Sequence, residues 1–181
     1  MSMFWRWEKH LPKEVCELIL AEKERQKLQE AKVGYGGEGV VNPTIRNNKI
    51  FFLESNHWLE GTLINYARYA NASAGWNYVL SGGENVQLTN YKAGELYDWH
   101  TDSDVHLPHN GYTRKLSVIA QICAPSDFTG GGLFLDGVSE SLLQNQGDVV
   151  VFPSYMKHKA APVESGERTT AVLWMTGPAF V

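Results

Sequence analysis

The sequence predicts a mostly β chain of the α+β kind, in which two N-terminal helices back an antiparallel sandwich or barrel. Apolar residues recur at helical spacing around residues 11–31 and 55–71. From Gly75 the texture changes to short runs of β-formers separated by Gly, Pro, Asp and Asn clusters. No linker and no internal repeat interrupts the 181 residues, so one domain is expected over 1–181, with helical support and a mobile loop in 1–74 and the β-core in 75–181.

In the first helix Pro12 suits a first-turn position, where its missing N–H is harmless. Val15, Leu18 and Ile19 supply an apolar face, and the following E-K-E-R-Q-K-L-Q-E-A-K reads as a solvated continuation of the helix to about residue 31. Residues 33–48 are glycine-rich. Gly34, Gly36 and Gly39 match G-x-G-x-x-G formally, but they follow a charged helix rather than a strand, so the run reads as a flexible loop and not a nucleotide site. Lys49–Leu53 reads as a short strand. Ser55 or Asn56 is placed to cap the second helix, whose apolar face includes Trp58, Leu59, Leu63, Ile64 and Tyr66. Beyond Gly75 the expected strands are W-N-Y-V-L, V-Q-L-T-N-Y, L-Y-D-W-H, L-S-V-I-A-Q-I, L-F-L, D-V-V-V-F and T-A-V-L-W-M.

Composition narrows the class. With 43% hydrophobic and 12% aromatic residues this is a folded chain, and a formal charge of -4 without a Lys/Arg run indicates no phosphate-backbone face. Two cysteines argue for a reducing compartment. No apolar run approaches about 18 residues, the length a membrane span needs. The start M-S-M-F-W-R-W-E-K-H lacks the apolar core of a secretion signal, so a cytoplasmic location and no membrane contact are expected.

Chemistry concentrates in Tyr91–Asp102, Y-K-A-G-E-L-Y-D-W-H-T-D. Along a strand, residues i and i+2 share a face, which sets His100 and Asp102 side by side as two metal ligands. His158 is the candidate third ligand: it follows the strand D-V-V-V-F and a Pro-Ser turn, on a segment that can return beside the H-T-D strand. Two His and a carboxylate on one face, with other positions open, suit non-haem Fe(II) oxygenases better than closed zinc sites. A loop site from Asp102, Asp104 and His106 is an alternative; His10 and His57 read as packing or surface histidines, and His109 as a loop residue. Arg168 would share a strand face with Thr170, Val172 and Trp174; buried there, it needs an anion, either an internal carboxylate or the carboxylate of a guest. Tyr97 and Trp99 read as core packing, and Arg46 as a solvated loop residue.

Three ordered blocks then resemble the Fe(II)- and 2-oxoglutarate-dependent dioxygenases, and within them the prolyl-4-hydroxylase superfamily and its PKHD-type branch. They are Tyr91-x-x-Gly94-x-x-Tyr97-x-x-His100-x-Asp102; Leu116-Ser117 through Ala124-Pro125-Ser126-Asp127-Phe128-Thr129-Gly130-Gly131; and Gly147 through Ser154 with His158 and Gly166-Glu167-Arg168. The resemblance implies a double-stranded β-helix (jelly-roll) core. It implies Fe(II) on His100, Asp102 and His158, with 2-oxoglutarate and O2 as co-substrates and L-ascorbate as an accessory reductant. It further implies that Arg168 pairs with the distal carboxylate of 2-oxoglutarate, that Tyr91 contributes a hydroxyl, and that Trp174 lines the pocket. The implied reaction is hydroxylation of a prolyl residue in a peptide or protein, with release of succinate and CO2. Two positions depart from the pattern: Gly132 stands where the family often has Glu, and Gln121 where many members place a Tyr that can touch the co-substrate. Trp174 stands where a nucleic-acid demethylase branch carries a second Arg, which counts against a nucleic-acid substrate. The alternatives are a hydroxylase of a small molecule or another side chain, a metal-binding jelly roll without catalysis, and a sheet-based interaction domain using the glycine-rich loop.

Overall fold

The structure is a computed structural model and describes residues 2–33, 41–103 and 111–179. Most of the glycine-rich run, and Asp104, His106 and His109 with the loop alternative they support, lie outside the described residues.

Two β-sheets and two helices make up the described chain. The larger sheet runs in the order β1 (Trp5–Trp7), β10 (Val149–Pro153), β7 (Tyr112–Gln121), β12 (Val163–Pro178), β5 (Gln87–Lys92), β3 (Lys49–Phe52) and β2 (Gln29–Glu30), with β4 (Gly82–Gly83) and β8 (Phe128–Gly130) also paired to β12. The smaller sheet is β6 (Tyr97–His100), β11 (His158–Ala160) and β9 (Leu133–Leu135). Every strand pairing in both sheets is antiparallel.

The period-two alternation of the strands distributes their side chains between two cores. Leu116, Val118 and Ala120 of β7, Val149 and Val151 of β10, and Ala171, Leu173 and Met175 of β12 face the helical side. Their neighbours Ile119, Val150, Phe152, Val172 and Trp174 face the other way, against Leu133 and Leu135 of β9. The central strands are thus covered on both faces, which is why they read as nearly continuous apolar runs. The functional residues lie on the second, inner face.

The helical layer differs from expectation in its boundaries. Helix α1 spans Lys13–Lys23, with Pro12 as its cap; the Pro12 carbonyl accepts from the N–H of Val15 and of Cys16, each at 3.1 Å. The charged segment beyond does not continue the helix. Gln29 and Glu30 instead pair with Ile50 and Lys49 of β3, a case of sheet pairing overriding helix propensity. Helix α2 spans Trp58–Ser73 and is capped by His57, whose ring accepts from the Leu59 N–H at 3.3 Å; Ser55 and Asn56 lie before the cap. Its buried stripe is Leu59, Leu63, Ala67 and Ala70, while Trp58 is exposed. The run W-N-Y-V-L forms no strand. Asn77 adopts a left-handed φ of 52°, and the Asn71 amide takes both the N–H and the carbonyl of Tyr78, at 2.9 Å each, so those groups are lost to a ladder.

Lys23 is 6% exposed rather than solvated. Its ammonium reaches across to Glu167 at 2.7 Å and Asn90 at 3.2 Å, tying α1 to β12 and β5. Burial alone would raise the Glu167 pKa. The Lys23 ammonium outweighs it and holds the carboxyl below its ordinary 4.5. A depressed carboxylate contributes stability above its unfolded pKa and loses it as the pH falls through the folded value. Chemical denaturation of Lys23→Ala should therefore show a loss of about 1–3 kcal/mol at neutral pH, because a buried polar network loses its donor. Glu167→Gln should flatten the decline in stability below pH 4.5 relative to the parent chain.

Candidate metal and co-substrate site

The site forms where the smaller sheet faces the inner side of the larger one. Strand β11 lies antiparallel to β6 in a register that sets His158 directly opposite His100. Their rings approach to 4.1 Å between centroids. Each imidazole gives its Nδ1 to a backbone carbonyl two residues back: His100 to Asp98 at 2.7 Å, His158 to Met156 at 2.9 Å. The Nδ1 is then the protonated nitrogen, and Nε2 of both rings is left as a lone-pair donor on the cavity side.

Asp102 completes the group, though not by strand alternation. Strand β6 ends at His100, and Asp102 lies in the turn beyond it. It is held there by its own N–H, which donates to the Ser154 carbonyl at 2.9 Å, and by Ser117, whose hydroxyl donates to Oδ2 at 2.7 Å. Its two oxygens lie 3.6 Å from His100 Nε2 and 3.4 Å from His158 Nε2. One ligand atom from each of the three residues falls within 4.8 Å of the others, the spacing a single ion requires.

The electrostatics suit a cation. Burial would raise the Asp102 pKa, but His158, His100 and Arg114 hold it well below the carboxylate range, so the group is ionised. Burial pushes His158 down to about 4, so it is neutral at physiological pH. An anionic carboxylate beside the neutral His158 imidazole is a donor pair a divalent ion binds with little competition from protons.

Arg168 stands in the same cavity on β12, opposite Tyr91 of β5 in the register and 2% exposed. Thr170, Val172 and Trp174 share its face and line the cavity with it, as alternation predicts. Among the described residues no carboxylate pairs with Arg168. Its Nε donates to Gln121 at 3.1 Å, and its Nη2 is buried without a partner. Tyr91 is 5% exposed and also lines the cavity, its phenol kept neutral by burial. Gln121 does not line it but lies behind the guanidinium. The buried Trp174 Nε1 likewise has no partner, and its ring is covered by Arg114 at 3.8 Å.

The inner cavity has a volume of about 40 Å³, room for roughly three waters or one slender polar molecule. Arg46, Tyr97, His100, Asp102 and Trp174 also wall an outer cleft of about 600 Å³, within the usual range of ligand sites.

Two sequence expectations need correction, for Arg46 and Trp99, and a third, for Tyr97, is extended. Arg46 is not a solvated loop residue: it is 9% exposed, donates to Asn48 at 2.9 Å and to the Lys32 carbonyl at 3.1 Å, and lies 4.5 Å above the Tyr97 ring. Tyr97 packs against the small core of Tyr91, Ala160 and Val163, as expected, and has a second contact as well. It stacks on His100 with 3.4 Å between centroids and 9° between planes, forming a cation–aromatic–imidazole column at the cavity mouth. Trp99 is exposed on the outer face of the small sheet, beside Lys159. The column was hidden because Arg46 meets Tyr97 through a single β-bridge from a distant segment, which no local spacing announces. His10 and His57 stay out of the site, bonded to Tyr66 and Glu22 respectively.

Comparison with known proteins agrees with this geometry. A PKHD-type hydroxylase of Shewanella baltica (strain OS155 / ATCC BAA-1091) is 32% identical over 88 residues, covering 47% of this chain and 39% of that protein. The chain thus matches about two-fifths of that relative's length. A prolyl-4-hydroxylase from Pseudomonas putida superposes with a TM-score of 0.73 at 22% identity, over 97% of this chain and 92% of that one. A prolyl hydroxylase from Trichoplax adhaerens, in complex with a hypoxia inducible factor oxygen degradation domain peptide fragment, superposes with a TM-score of 0.68 at 18% identity, over 97% and 84% of the two chains. These superpositions make the two-sheet architecture a jelly roll. The profile of the 2OG-Fe(II) oxygenase superfamily matches residues 86–176, the stretch that holds His100, Asp102, His158 and Arg168, and the chain belongs to that family.

Proposed function

We propose that this chain is an Fe(II)- and 2-oxoglutarate-dependent dioxygenase that hydroxylates a prolyl residue in a peptide or protein, releasing succinate and CO2. The observation that carries the reading is the pairing, in one cavity, of a three-residue metal set with a buried arginine that no carboxylate of the described chain neutralises. The donor set fits Fe(II): two imidazoles and one carboxylate gathered on one side, the other side facing the cavity. The orphaned Nη2 fits a carboxylate guest, since a buried guanidinium is stable only with an anion. When bound, iron and 2-oxoglutarate supply with O2 the oxidising chemistry that converts C–H to C–OH, with ascorbate as the accessory reductant.

The residues of the chain divide the remaining work. His100, Asp102 and His158 hold the metal. Arg168 takes the distal carboxylate of 2-oxoglutarate, with the Tyr91 hydroxyl beside it and Trp174 forming the wall. Arg168 and the metal set line the inner cavity, so the co-substrate is assigned there and the substrate to the larger outer cleft. There Arg46 and Arg114 stand near aromatic Tyr97 and Trp174, a surface suited to backbone carbonyls and a prolyl ring. The peptide complex of the Trichoplax relative supports a peptide over a free small molecule.

Ser117 orients a ligand rather than binding metal, through its 2.7 Å bond to Asp102. Metal titration of Ser117→Ala should show affinity lowered by about ten-fold with the fold retained, as for other partners of ligating carboxylates. Turnover provides the main test. Incubated with Fe(II), 2-oxoglutarate and a proline-containing peptide, the protein should form succinate, and mass spectrometry should find the peptide heavier by one oxygen atom. His100→Ala should reduce both to background. If the parent protein makes no more succinate than that variant with any substrate, the enzymatic reading fails; if only small molecules gain oxygen, the prolyl assignment fails.

A further inference from the structure

Gln121 lies on β7 opposite Thr170 of β12, and its side chain turns toward Arg168 rather than into the cavity. It is 1% exposed. Its Oε1 accepts from Arg168 Nε at 3.1 Å, and its Nε2 is held by Cys123, at 3.0 Å from Sγ and 3.4 Å from the carbonyl oxygen. The Cys123 sulfur is itself fixed, accepting the backbone N–H of Thr169 at 3.1 Å. Flipping the amide would set its NH2 against the Arg168 N–H, donor to donor, so only one orientation satisfies both ends.

A guanidinium can hold a carboxylate side-on, through Nε and one Nη, or end-on, through both Nη atoms. With Nε taken by Gln121, the side-on mode is closed. The rest of the side chain is equally confined. A Cβ on Gly131 would come within 3.2 Å of Arg168 Cδ, and the rings of Tyr91 and Phe128 lie 5.8 and 6.0 Å from the guanidinium carbon. The unpartnered Nη2 then marks the edge left for the guest.

We propose that Gln121, braced by Cys123, is the positioning residue that fixes Arg168 so that its Nη edge binds the distal carboxylate of the co-substrate end-on. The proposal rests on the assignment of Arg168 as the carboxylate anchor and adds what holds that anchor in place. It gives Gln121 no contact with the co-substrate: its effect passes entirely through the arginine, and so falls only on ligands that carry a distal carboxylate.

The test is calorimetric titration of the Fe(II)-loaded protein without O2, comparing 2-oxoglutarate with 2-oxopentanoate, which has a methyl group in place of the distal carboxylate. The parent protein should bind 2-oxoglutarate more tightly. Gln121→Leu should weaken 2-oxoglutarate by about ten-fold or more, the effect of losing a hydrogen bond to a charged group. Its affinity for 2-oxopentanoate should stay within about two-fold. Gln121→Glu sets a carboxylate against the guanidinium and should erase the preference for 2-oxoglutarate. This near-isosteric variant carries the test alone if melting curves show that Gln121→Leu does not fold. Either folded variant keeping the parent's preference overturns the positioning role. A parent protein with no preference removes the anchor assignment, and the proposal with it.

Discussion

The site depends on one strand pairing, that of β11 with β6. Opposed residues on adjacent antiparallel strands bring their Cβ atoms to about 5 Å, close enough for two imidazoles to share an ion and too far for them to clash. His158 opposite His100 is that arrangement. Because the side-chain period is two, a slip of one residue would send His158 to the outer face of the small sheet, where Lys159 and Trp99 now meet. The metal set is therefore a consequence of register. The register is in turn held by β9 on the other side of β11 and by the tethers from Ser154 to the N–H groups of Asp102 and Ser103.

The second requirement is that the cavity keep a fixed cation and a fixed anion apart. Arg168 and Asp102 both line it, yet each has its own partners: Gln121, Tyr91 and Phe128 around the arginine, Ser117 and the two histidines around the aspartate. Had they met, they would have neutralised one another and left no charge for guests. Strand β12 makes the separation possible. It carries Arg168 at one level and Trp174 farther along the same face, while its neighbours on the opposite face pack against the helical layer. Glu167, adjacent to Arg168, points to Lys23, so the strand that presents the anchor is also the one to which α1 is fastened.

How much of this was legible in the sequence varied with the range of the interaction responsible. The turn-punctuated β-formers gave the β-rich C-terminal half, and the apolar spacing of α2 gave its buried stripe, because both patterns are local. The gathering of His100, Asp102, His158 and Arg168 in one cavity was readable because each sits beside a strand or turn signal. The reason for the placement of Asp102 was not: alternation along β6 gave the right neighbour by the wrong route, since the residue lies past the strand and is fixed by Ser117 and Ser154. Lys23 and Arg46 were misread for one shared reason. A charged side chain in a polar run looks solvated unless its partner is known, and Glu167, Lys32 and Tyr97 come from other segments or elements. W-N-Y-V-L failed because a side-chain amide, Asn71, competed for the backbone groups a strand needs.

The two orphaned donors give the cavity its direction. Arg168 Nη2 and Trp174 Nε1 are buried N–H groups on one strand face, both without a partner in the chain. A buried donor left unmade costs about 1–3 kcal/mol, more when it is charged, so an acceptor brought by a guest would be favourable at either position. On the proposed assignment, a guest would bring oxygen acceptors to both ends: a carboxylate for the guanidinium, and oxygen ligands for an ion on His100, Asp102 and His158. A short dicarboxylate carrying a keto group has that distribution of oxygens, which is why the cavity supports the proposed co-substrate more directly than the proposed substrate.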